Sequence, residues 1–175
     1  LPEGGTAIVN LDDPHAAQWL ARIQGDRNVL GTHVQSAKQH GAVAPSFVAE
    51  IAETNLQGQV LRMTTPAGQV TVTLPLSGAH NASNAAQAMA AGFAAGLDVQ
   101  AMAASLASFG GVAGRLQRKL AVGGAQVIDD TYNANPDSMR AAIDVLAAGG
   151  ASARAILVMG DMGEVGAESE ALHAE

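Results

Sequence analysis

The chain has no cysteine among its 175 residues. Disulfides, thiolate zinc sites and cysteine nucleophiles are therefore excluded together, and the composition fits the reducing cytoplasm. Charge is scarce at 14% of residues, with a formal net charge of -7. A chain of that balance lacks the basic face that nucleic-acid binding requires. No apolar stretch reaches the ~18 residues of a membrane-spanning helix; the alanine-rich run 85–96 is too short, and Gln87 interrupts it. The opening Leu1-Pro2-Glu3-Gly4-Gly5 shows neither the basic nor the apolar segment of a secretory signal. Two phosphate-binding signatures are also missing. There is no GxxxxGKS or GxxxxGKT loop, and no GxGxxG in the first 30 residues. A soluble, cytoplasmic monomer is expected, with no nucleic-acid or membrane partner.

Apolar residues make up 48%, enough for a core in one large domain or two small ones. Thr6-Ala7-Ile8-Val9-Asn10 predicts a buried strand. Asp13 and Pro14 follow as N-cap and first helical residue, with Ala16, Trp19, Leu20 and Ile23 on one face. A second strand at Val29-Leu30 completes a β-α-β opening, so a parallel sheet is expected. Residues 47–54, 59–64 and 69–74 alternate as strands, the last two joined by the turn Pro66-Ala67-Gly68. Helices are predicted at 80–95 and 99–109. The glycine-rich run Gly110-Gly111-Val112-Ala113-Gly114 reads as a linker, with domains at 1–112 and 113–175. Strands 116–122 and 125–128 around Gly123-Gly124, a helix at 136–148 and a strand at 155–159 complete the pattern. Both ends read as cuts within a longer protein.

The richest chemistry lies in Asp129-Asp130-Thr131-Tyr132-Asn133-Ala134-Asn135-Pro136. This polar loop joins a strand's carboxyl end to a helix's amino end, which is where open α/β sheets bind ligands. Asp129 or Asp130 fits a ribose-hydroxyl acceptor, or simply a loop cap. Tyr132, the chain's only tyrosine, fits a ring-packing or loop-covering role. Asn135 before Pro136 is a good N-cap. Asn81 and Asn84 share a face at a helix start. They suit adenine recognition, or a cap with a surface neighbour. Arg115 suits a phosphate or a surface ion pair. Asp161 and Glu164 suit a metal, an amine or a solvated turn. His15, His33 and His40 are scattered without metal spacing, and His173 has no reading of its own.

Taken in order, several segments resemble the Mur ligases, the ATP-dependent amide-forming enzymes of peptidoglycan assembly. They are Val9-Asn10-Leu11-Asp12-Asp13, residues 76–85, Gly114-Arg115-Leu116, residues 128–139 and residues 158–166. The Asp-Asp-Thr-Tyr-Asn-Ala-Asn-Pro loop is similar to that of members that add D-alanyl-D-alanine. Sister ligases carry Asp-Tyr-Ala-His there, and folylpolyglutamate synthases Asp-Gly-Ala-His-Asn-Pro. The resemblance implies an α/β fold: the later part of a central ATPase domain (a mixed sheet with helices), followed by the start of a Rossmann-like C-terminal domain. It implies ATP and Mg2+, with the phosphate loop and magnesium ligands outside this chain. UDP-N-acetylmuramoyl-tripeptide and D-alanyl-D-alanine are the implied substrates, joined through an acyl phosphate. Asn81 and Asn84 would lie against adenine, Arg115 would reach phosphate or ribose and stabilise charge in catalysis, and Asp130 would hold the ribose hydroxyls. Tyr132, Asn133 and Asn135 would line the substrate cleft. Other expectations are another Mur ligase, a folylpolyglutamate-synthase-like ligase, or a nucleotide-binding piece inactive in isolation.

Overall fold

Alternation of apolar and polar residues builds the first half of the molecule. Strands β1 (Thr6–Asn10), β2 (Asn28–Val34), β3 (Phe47–Asn55), β4 (Gly58–Thr65) and β5 (Gly68–Leu74) form one sheet in sequential order. The computed structural model describes residues 1–23, 25–148, 154–163, 165–166 and 169–174. It divides into two compact units, Leu1–Phe109 and Gly110–Glu175.

In the first unit, β1 pairs β2 and β2 pairs β3 in parallel, while β3–β4 and β4–β5 are antiparallel. The expected parallel sheet and its antiparallel patch are thus one mixed sheet. Period-two side-chain alternation sends successive residues to opposite faces. One face buries Val34, Phe47, Ala49, Leu61, Met63, Val70, Val72 and Leu74 against α2 (Ala79–Ala94) and α3 (Val99–Ala107). The alanines Ala82, Ala85, Ala86 and Ala90 of α2 are all buried. Their small side chains let the helix approach closely, and Phe93 still meets Phe47 edge-on at 5.8 Å between ring centres. Asp98 caps α3 through the N–H groups of Gln100 and Ala101 at 3.0 and 2.9 Å.

The opposite face carries a smaller cluster of Val9, Leu11 and Ala16, with Leu20 and Ile23 of α1 (Ala16–Arg22) packed against it. Gly31 of β2 leaves room for Leu11: a Cβ at that position would stand 2.6 Å from Leu11 Cδ1 and make that buried side chain shift. Helix α1 begins at Ala16 rather than Pro14, because the Asp13 carboxylate accepts the His15 N–H at 2.8 Å and holds a turn ahead of the helix. Trp19, expected on the buried face, is 41% exposed; Ala16 fills the interior in its place.

In the second unit, β6 (Gln117–Leu120) and β7 (Gln126–Asp129) form an antiparallel hairpin around a 3-10 turn at Val122–Gly124. Helix α4 (Pro136–Ala148) follows, then α5 (Ser169–Ala174). Helix α4 buries Val145, half-buries Ser138, Met139, Ala141, Ala142 and Leu146 around it, and leaves Ile143 40% exposed. The strand expected at 155–159 is absent: these residues are irregular, and Ile156 to Met159 are exposed. Apolar composition alone does not make a strand; the backbone needs a ladder partner, and none pairs with it among the described residues.

Candidate functional site

Cross-strand register assembles the site in the second unit. Gln117 pairs with Asp129, so the segments just beyond the hairpin's open end, 114–116 and 130–132, run side by side. The Tyr132 N–H donates to the Gly114 carbonyl at 3.0 Å. A Cβ on Gly114 would sit 3.2 Å from the Tyr132 nitrogen, and its φ of +69° is one that side chains disfavour. The Leu116 N–H donates to Asp130 Oδ1 at 3.0 Å. Leu116 has φ +48°, the only positive φ outside glycine among the described residues, a conformation that needs such support.

Arg115, between these two anchors, places its guanidinium carbon 4.2 Å from the centre of the Tyr132 ring. Together with Asp130, Asn133, Asn135 and Ser138, the two side chains line a small open cleft of about 100 Å³. Asn135 caps α4 reciprocally. Its Oδ1 accepts from Ser138 N–H at 2.8 Å, and its own N–H donates to Ser138 Oγ at 3.0 Å. The Asn133 side-chain oxygen accepts from the Ala134 N–H at 2.9 Å, leaving its amide nitrogen for other partners.

The two adjacent aspartates part company. Asp129 ion-pairs with Lys119 and accepts the Thr131 hydroxyl at 2.7 Å. Those hydrogen bonds, Lys119 first, hold its carboxyl down at about 2, below the ordinary 3.8. Asp129 thus ties the hairpin to its loop, and Asp130 is the carboxylate that lines the cleft.

In the first unit, Asn81 and Asn84 lie on the first turns of α2. Asn81 donates its side-chain N–H to the Ser77 carbonyl at 2.8 Å, pinning the chain that enters the helix. Asn84 is exposed, and its amide makes no hydrogen bond among the described residues. The helix start is fixed from the sheet as well, by Gln59 Nε2 donating to the Gly78 carbonyl at 3.0 Å.

Two groupings escaped the sequence reading. Asp12 and His33, at the carboxyl ends of β1 and β2, meet at 2.5 Å, and Asp12 also accepts the Val34 N–H at 2.8 Å. The parallel register that sets Asn10 beside Thr32 predicts this neighbourhood, but neither residue signals it alone. The second grouping is His173. Its Nε2 accepts the Met162 N–H at 2.9 Å, and its Nδ1 lies 2.7 Å from the Ser169 carbonyl. Acceptance at one nitrogen and donation at the other set the neutral tautomer. Asp161 is exposed, and Glu164 lies outside the described residues. Among the described residues no three His, Asp or Glu converge on a cation site, so no magnesium ligand is assigned.

Comparison with known proteins places this geometry in a family. The family description "Mur ligase middle domain" matches residues 1–92, and "Mur ligase, glutamate ligase domain" matches residues 114–175. The chain is 37% identical to the UDP-N-acetylmuramoyl-tripeptide--D-alanyl-D-alanine ligase of Escherichia coli K12, over 100% of its own length and 37% of that protein's. Among solved structures it is similar to MurF from Acinetobacter baumannii, with a TM-score of 0.82 and 34% identity over 99% of this chain and 35% of that one. The MurF ligase of Thermotoga maritima in complex with ADP shares the fold at a TM-score of 0.69 and 22% identity, over 98% of this chain and 36% of that one. The chain belongs to the Mur ligase family and spans roughly a third of the length of these relatives.

Proposed function

We propose that this chain forms part of an ATP-dependent ligase that adds D-alanyl-D-alanine to UDP-N-acetylmuramoyl-tripeptide in peptidoglycan synthesis. The supporting observation is the match across the whole chain to a relative named for that reaction, together with a cleft whose polar groups suit a nucleotide. In this reading 1–112 belongs to the central ATP-binding domain and 113–175 to the C-terminal domain. The protein is cytoplasmic and monomeric.

The tripeptide carboxylate takes the γ-phosphoryl group of ATP, the D-alanyl-D-alanine amine attacks the acyl phosphate, and phosphate leaves. Such chemistry depends on positioning and on neutralising phosphate charge. Arg115 supplies that charge: among the described residues none of its guanidinium N–H donors is spent on an acceptor. Asp130 keeps one oxygen on Leu116 and offers the other to ribose hydroxyls. Asn84 offers its free amide to adenine, while Asn81 fixes the turn that presents it. Asn133 and Asn135 border the substrate cleft, with Asn135 held in place by its capping role. Magnesium would supply further neutralisation of phosphate charge, with its ligands expected outside the described residues.

The test is phosphate release by the intact protein that carries this chain, with UDP-N-acetylmuramoyl-tripeptide and one amine at a time. D-alanyl-D-alanine should support turnover. Turnover with diaminopimelate or L-alanine in its place would assign the chain to a sister ligase.

A further inference from the structure

Tyr132 is 65% exposed, so burial of its ring does not explain its position. Its backbone is nevertheless held, by the hydrogen bond its N–H donates to the Gly114 carbonyl. Among the described residues, its one ring contact is the Arg115 guanidinium, 4.2 Å from the ring centre. Asp130 fixes the other side of Arg115 through the Leu116 N–H. The arginine's backbone is therefore clamped on both flanks, and its charged end rests on an aromatic face.

Cation–π contact engages the charge of a guanidinium without consuming a hydrogen-bond donor. The guanidinium donors of Arg115 stay available for the oxygens of a phosphate group. A long side chain that would otherwise sample many rotamers is also ordered before any ligand arrives, which lowers the entropy cost of binding. We infer that Tyr132 is a positioning residue that acts through Arg115, holding the guanidinium ready for a phosphate group, rather than a residue that contacts the substrate itself. The inference rests on the proposed reading of Arg115 as the phosphate-binding cation.

The test uses the 175-residue chain with isotope-labelled arginine and inorganic tripolyphosphate as the probe. Tyr132→Phe should keep the ring-current shift of the Arg115 side-chain protons and bind tripolyphosphate within twofold of the parent. Tyr132→Leu should lose the shift and bind about two- to fivefold more weakly. The double variant Tyr132→Leu with Arg115→Ala should bind no worse than Arg115→Ala alone, the signature of action through the arginine. Additive losses would overturn the inference, as would unchanged affinity in Tyr132→Leu while Arg115→Ala is weakened. Unchanged affinity in Arg115→Ala would instead remove the underlying reading of the arginine, and this inference with it.

Discussion

Asp130 holds the amide of Leu116 across a gap of 14 residues in sequence, and Leu116 is the non-glycine residue that takes a positive φ. The carboxylate thus shapes the backbone that carries Arg115. Asp130→Asn keeps an acceptor for this bond, whereas Asp130→Ala leaves the Leu116 N–H to solvent. The alanine variant should lose about 0.5–1.5 kcal/mol of stability in the second unit, and the asparagine variant less. Denaturant unfolding followed by hairpin amide signals checks the order.

Arg115 is not part of any ion pair among the described residues, so its removal should leave the fold intact. In the intact protein that carries this chain, Arg115→Ala should lower the proposed turnover by about 10²-fold, with substrate binding weakened much less. Steady-state kinetics beside equilibrium nucleotide binding separates the two. Turnover at the parent level would rule out the proposed role.

Asn135→Ala removes the reciprocal cap at the start of α4. A loss of about 1 kcal/mol is expected, with Asn135→Ser recovering most of it. Hydrogen exchange at Ser138 and Met139 should report the fraying locally.

Asp129 gives a pH signature. Its carboxyl titrates near 2 in the folded chain and near 3.8 when free, so its contribution to the hairpin is complete above about pH 4. That contribution fades as pH falls from there toward 2. In Asp129→Asn this acid-dependent loss should disappear, as read from cross-strand amide protection between Lys119 and Val127.

The first unit was largely legible because alternation and turn residues fix its strands one by one. The second was harder for a definite reason. A tight turn at Gly123-Gly124 would set Leu120 opposite Val127, but the longer turn sets it opposite Gln126. One residue of slip exchanges the faces of a strand, and this decides which of Asp129 and Asp130 lines the cleft. The same register brings Tyr132 to Gly114 and so to Arg115, a pairing that residue types alone do not announce. The strand expected at 155–159 but absent from the structure has the opposite cause: its composition suits a strand, but none of the described residues pairs with it. His173 was illegible because its role depends on the fold bringing Met162 to it across 11 residues.

The central claim is that the cleft of the second unit holds the phosphate and ribose of a nucleotide. The most direct measurement is a titration of the intact labelled protein with ADP, following the Arg115 Nε–H and the Leu116 amide that Asp130 holds. The account predicts that both shift with one dissociation constant, and that Asp130→Ala lowers the preference for ADP over tripolyphosphate. Shifts at neither group under saturating ADP, or an unchanged preference in Asp130→Ala, would contradict it.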